Sequence, residues 1–240
     1  MYCEAAIVNI SCLWVGLHAG HASLRKDGLN LFGSLMDYVM DTLWILPGLI
    51  IGFAMHEFAH AWVSDRLGDP TPRAQGRLTL NPAAHIDPIG LVMLVFFHFG
   101  WGKPVQVNPN YYKHRRLGEA AVAVAGAVMN FIIAVVGMGL ARLFTMLPLG
   151  DTLMGIFMHI MFSLVQINLV LMIFNLIPLP PLDGWNFITQ IFDLERRPWY
   201  WRFYQLGPMF LMLLIVFRLT SKIITPPVMV IYSLLAGIFF

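Results

Sequence analysis

One stretch limits this chain more than any other: residues 44–66, WILPGLIIGFAMHEFAHAWVSDR, an apolar run long enough to cross a bilayer with His56, Glu57 and His60 inside it. Histidine and glutamate each cost several kcal/mol in hydrocarbon when unpaired, so an intramembrane position for them marks a functional site by default. On an α-helix residues i and i+4 lie about 40° apart in azimuth and one turn along the axis, so His56 and His60 can grip one metal ion together. Glu57 falls beside that pair, where it could take a proton from a water at the metal. A bound cation gives the buried polar groups a partner, which explains both oddities at once.

Composition supports a membrane setting. Of 240 residues 58% are hydrophobic and 12% charged, about half the charged share of an ordinary soluble chain. With a mean hydropathy of +0.72 the chain reads as an all-α polytopic membrane protein of about five to six membrane segments. A net charge of +2 gives no reason to expect a nucleic-acid partner. The two cysteines, Cys3 and Cys12, form no CxxC or Cys/His pattern, which argues against a disulfide framework and against thiolate ligands.

Along the chain, residues 1–30 read as an N-terminal extension or weak anchor, since Arg25 and Lys26 follow the apolar stretch where a signal peptide would place them before it. Residues 31–240 read as a single membrane-embedded domain. It begins with an amphipathic lead-in over 31–41 and a first span over about 43–64, with Pro47 in its first turn. Residues 67–88 hold Pro70, Pro72, Pro82 and Pro88 and read as an ordered loop with a short strand near 77–80. The apolar run 89–100 is too short to cross and reads as a re-entrant segment, followed by an extended edge around Val105 and Val107. Further spans are expected over 118–143, where AVAVAGAVMN suits close helix packing, and over 152–177, with a helical pair over 206–219 and 226–240. Lysine and arginine concentrate between the first two spans and after the third, which places the HEFAH end and the LDG turn on the cytoplasmic side of a multi-pass protein in the cell membrane.

A catalytic zinc takes three protein ligands, keeps a fourth position open and lowers the pKa of a water there to about 7. The third ligand must come from elsewhere. Asp183 is a carboxylate at the proline-broken end of the 152–177 helix on the HEFAH side, although Asp-Gly is also a common turn pair. His85, His98, His114 and His159 are its rivals, with His159 read as a packing or lipid-interface residue. A metal transporter using the same ligands is the alternative to a hydrolase.

The ordered set HEFAH, GRLTLNPAAHIDPIG, GWGKPVQVNP, AGAVMN and NLIPLPPLDG closely resembles the site-2 protease family of intramembrane zinc metalloproteases, in its short prokaryotic branch without PDZ or CBS domains. The resemblance covers residues 43–185. It implies one zinc per chain on His56, His60 and Asp183, with Glu57 as catalytic acid and base. It also implies that Asn175 helps hold an extended substrate near the metal, and Asn168, seven residues earlier on the same helix face, is read as a substrate-binding residue with it. The substrates it implies are transmembrane proteins or peptides cut within the bilayer. The family's AGP motif reads Ala125-Gly126-Ala127 here, a departure expected to alter packing of the second span and to leave the ligands untouched.

Overall fold

A computed structural model describes residues 7–9, 31–97 and 99–240. The expected extension over 1–30 lies outside the described residues apart from 7–9, as do Cys3, Cys12 and His98. In order, the elements are β1 (Ile7–Asn9), α1 (Leu31–Arg66), α2 (Thr71–Ala74), α3 (Pro88–Phe97), β2 (Phe99–Trp101), α4 (Arg115–Phe144), α5 (Asp151–Asn175), α6 (Asp183–Phe192), α7 (Tyr200–Val216) and α8 (Leu219–Phe239). The all-α membrane architecture is as expected, with fewer clear spans. Four helices among the described residues are long and apolar enough to cross: Leu43–Arg66 within α1, α4, α5 and α8. Helix α7, at 17 residues, would reach only about 26 Å, short of the ~30 Å hydrocarbon core.

Two local expectations differ from the structure. Pro47 sits inside a continuous helix rather than in its first turn, because the lead-in over 31–41 is already helical and runs into the span. A proline there removes one backbone bond, which packed neighbours in a membrane tolerate. No strand forms near 77–80: the loop is tied by side chains instead of a ladder. Arg77 donates from its NH1 group to the carbonyls of Ala84 and Lys103, and His85 Nε2 donates to Thr79 O at 2.9 Å. The short α3 has re-entrant length and returns into β2, which pairs antiparallel with β1 in the register Ile7 to Trp101.

The packing that carries the site is among α1, α4 and α5. Between helices in lipid, small residues matter because they let backbones approach. On α4, Ala123, Ala127, Ala134 and Ala141 are buried, and a Cβ at Gly137 would stand 3.0 Å from Val165 of α5. On α1, a Cβ at Gly48 would stand 3.0 Å from the Leu164 backbone and one at Gly52 would stand 2.7 Å from Asn168 Oδ1. The core these contacts enclose runs through Leu49, Phe53, Met138, Val165, Leu169 and Phe174.

Where α1 ends, a buried polar cluster pins the following chain. Ser64 Oγ donates to Asp69 Oδ2 at 2.8 Å, and Asp69 Oδ2 also accepts from Asn108 N at 2.7 Å. Tyr112 Oη meets Ser64 Oγ at 2.8 Å. The loop between α1 and α4 is therefore held against the helix that bears HEFAH.

Candidate metal centre

His56 and His60 lie on α1, both nearly fully buried at 2% and 1% exposure. Asp183 opens α6 and reaches them from the far side of the proline-rich turn. Helix α6 can start so close to the end of α5 because residue 184 is glycine: any Cβ there would overlap the Leu176 carbonyl and stand 2.7 Å from Ile177 O. The Asp-Gly pair is thus both a tight turn and the mount that carries the Asp183 carboxylate to the two histidines.

The three side chains converge. His56 Nε2 is 3.0 Å from His60 Nε2 and 3.0 Å from Asp183 Oδ2, and His60 Nε2 is 3.2 Å from the same oxygen. The opposite ring nitrogens decide what this means. His60 Nδ1 is 2.7 Å from Val122 O, a carbonyl that can only accept, so the ring proton is on Nδ1. His56 Nδ1 is 3.0 Å from Asn130 Oδ1, oriented in the same sense. With both rings neutral, the two Nε2 atoms then present lone pairs to each other and to a carboxylate oxygen, with no donor among them. Three acceptors at this separation repel unless a cation lies between them. Donor atoms around a tetrahedral zinc stand about 3.3–3.4 Å apart, so the observed spacing of 3.0–3.2 Å fits that ion with little adjustment. Imidazole and carboxylate are the right donors for it, and the carbonyls on Nδ1 are the outer partners that fix tautomer and ring orientation.

The second span forms the remaining wall. A Cβ at Gly126 would stand 2.6 Å from both nitrogens of His56 and overlap its Cε1, so only glycine lets α4 lie against that ring. Proline is absent from the motif at Ala127, which packs in the core. Asn130, fully buried on the same helix, and the Val122 carbonyl escaped the sequence reading. The visible signal for Asn130 was a lone amide in an apolar span.

Glu57 is 3% exposed, and its Oε2 accepts from Val105 N at 3.1 Å. The extended segment after β2 thus reaches the glutamate that neighbours His56 in sequence. The rivals to Asp183 are elsewhere: His85 is a buried loop staple, His114 precedes α4 on the surface, and His159 is exposed and meets Trp44 edge-on at 5.1 Å. Asn168 and Asn175 are buried on one face of α5. Each donates Nδ2 to a carbonyl of its own helix, Leu164 O at 2.8 Å and Leu171 O at 3.0 Å. Among the described residues no other cluster of histidine, cysteine and carboxylate side chains converges as closely as His56, His60 and Asp183.

Residues 139–217 match the model of "Peptidase family M50", a window that contains Asp183 and lies downstream of HEFAH. A Bacillus subtilis protein, YwhC, is 43% identical over 162 residues, covering 66% of this chain and 70% of that one. The chain belongs to peptidase family M50, the site-2 proteases. Rip2 of Mycolicibacterium smegmatis is 28% identical over 68% of this chain and 62% of its own length, and Rip2 of Mycobacterium tuberculosis is 29% identical over 59% and 54%. Each of these relatives carries the name "Putative zinc metalloprotease". No solved structure matches the chain. The family is one of zinc-dependent intramembrane metalloproteases, and the buried His-His-Asp group supplies donors suited to its metal. The transporter alternative gains nothing from these relatives.

Proposed function

We propose that this M50 protein cuts transmembrane segments of other membrane proteins, with His56, His60 and Asp183 holding one zinc and Glu57 serving as general base and then general acid. The observation that carries the proposal is the convergence of two buried imidazole nitrogens and a carboxylate oxygen on one point, beside the buried carboxylate of Glu57. Zinc, when bound, supplies Lewis-acid polarisation and makes a nucleophilic water accessible near neutral pH. The chain's own residues do the rest. Glu57 removes a proton from the attacking water and returns it to the leaving amine. The Val105 N–H holds the Glu57 carboxylate in place by a bond to Oε2. Asn130 and Val122 O keep the two imidazoles in the ligating tautomer.

A helical substrate hides its carbonyls in i to i+4 bonds and must unwind before attack, so helix-breaking residues in the substrate favour cleavage. The extended backbone around Val105–Val107 pairs with the unwound strand by edge addition and replaces its lost bonds. Asn175 and Asn168 contribute to substrate positioning by ordering the end of α5 that leads to Asp183. Residues 31–240 constitute one catalytic domain, seated in the cytoplasmic membrane with the metal end of α1 toward the cytoplasm, as the loop charges favour.

The test is Glu57→Gln in detergent-purified protein, assayed on a transmembrane peptide with a central Asn-Gly-Pro break. The expected result is wild-type zinc content with cleavage lost. Cleavage that survives the substitution would remove Glu57 from the chemistry.

A further inference from the structure

Beside the catalytic helix lies an apolar cleft that the proposed chemistry does not use. It is lined by Leu49, Ile50 and Phe53 of α1, Ile86, Leu91 of α3 and Trp101 of β2. Its construction is deliberate at two glycines. A Cβ at Gly90 would overlap the Trp101 carbonyl, and one at Gly102 would overlap the Phe53 ring. The re-entrant helix, the extended segment and α1 can meet around this cleft only because both positions lack side chains.

The cleft is also in register with the catalytic group. Phe53 and Glu57 are four residues apart on α1, so they share a face at about 6 Å of axial rise. The extended segment follows the same face: it meets Phe53 at Gly102 and Glu57 at Val105. A substrate strand laid along this segment advances about 3.3 Å per residue. The roughly 6 Å measured along the helix is about two residues of substrate, and the segment itself takes three, from Gly102 to Val105, so the cleft lies two to three residues of substrate from Glu57.

We propose that this cleft is a specificity subsite that accepts a medium-sized aliphatic side chain, of leucine, isoleucine or methionine, two or three positions from the scissile bond of the unwound substrate. The inference rests on the proteolytic reading above. The wall is hydrocarbon from three separate elements, so it rejects a charged residue by desolvation. Ile50 and Leu91 are half-buried on opposing walls and set the available width.

The experiment uses the full-length protein in detergent and a set of transmembrane peptides with a central Asn-Gly-Pro break. The residues flanking the cut are varied among Ala, Leu, Phe and Asp, and products are mapped by mass spectrometry. Wild type is expected to favour Leu over Ala by about tenfold or more at one position two or three removed from the cut, and to reject Asp there. Ile50→Trp and, from the opposite wall, Leu91→Trp should reverse that order to Ala over Leu. Ile50→Ala, which widens the cleft, should extend acceptance to Phe. The inference is overturned if no flanking position discriminates by more than about twofold, or if all three variants, loaded with zinc, keep the wild-type preference. Zinc-loaded wild type that cuts none of the peptides would overturn the proteolytic reading and the subsite with it. Cleavage without selectivity would overturn the subsite alone.

Discussion

Replacing Gly126 by alanine puts the least possible volume in the worst possible place. The added Cβ would stand 2.6 Å from both His56 ring nitrogens, whereas ordinary non-bonded contacts between such atoms are about 3.5 Å. The structure must open by about 1 Å. The ring cannot swing aside, since Nδ1 is held by Asn130 and Nε2 faces Asp183 and His60. Zinc–nitrogen distances tolerate about 0.2 Å, so a 1 Å displacement removes His56 from the ligand set or drives α4 away from α1. Loss of an outer partner alone costs about 10–100-fold in metal affinity, and displacing a ligand should reach or exceed the upper end of that range. Overpacking adds about 1–3 kcal/mol of destabilisation. The assay is zinc affinity by chelator competition on detergent-purified protein, with Gly137→Ala as the control on the same helix. There the new methyl meets only the side-chain ends of Val165 at 3.0 Å and Leu164 at 3.4 Å, so stability should fall while zinc affinity holds. Gly126→Ala protein that binds zinc as tightly as wild type would refute the reasoning.

Other outcomes follow from the same contacts. Asn130→Ala removes the partner of His56 Nδ1 and should weaken zinc binding by about 10–100-fold with the protein still folded, as read by chelator competition beside a thermal melt. Val105→Pro deletes the N–H that holds Glu57 and should cut the cleavage rate by at least about tenfold with zinc content unchanged. Wild-type cleavage by that variant would argue against both the positioning bond and strand pairing there. His85→Ala should lower the melting temperature through loss of the bond to Thr79 O and leave one zinc per chain.

The parts of this molecule legible from sequence were those governed by local period and chemical incongruity. His56, Glu57 and His60 stood out because their side chains are costly in hydrocarbon, and the i, i+4 spacing alone put both imidazoles on one face. The small residues of AVAVAGAVMN announced close packing of α4, as the buried Ala123 and Ala127 bear out. Asp183 was open on its local pattern, since an Asp-Gly turn looks the same whether or not its carboxylate meets two histidines. Only the approach of α6 to the end of α5 across Gly184 brings it there. Asn130 and the Val122 carbonyl lie 74 and 62 residues from the imidazoles they serve, and no window of sequence contains both partners. The strand expected near 77–80 failed because Arg77 and His85 turn inward to carbonyls of the folded loop, Ala84 and Lys103 for Arg77 and Thr79 for His85, and side-chain bonds of that kind override strand propensity. Pro47 misled because a proline near an apolar boundary looks like a helix start, while the helix had already begun upstream.

Metal analysis of the detergent-purified protein beside His56→Ala and Asp183→Ala bears most directly on the central claim that α1 and the start of α6 share one zinc. Wild type should carry about one zinc per chain, with the metal lost or sharply weakened in both variants. Full zinc retention by Asp183→Ala, or wild type that binds no zinc when it is supplied, would contradict it.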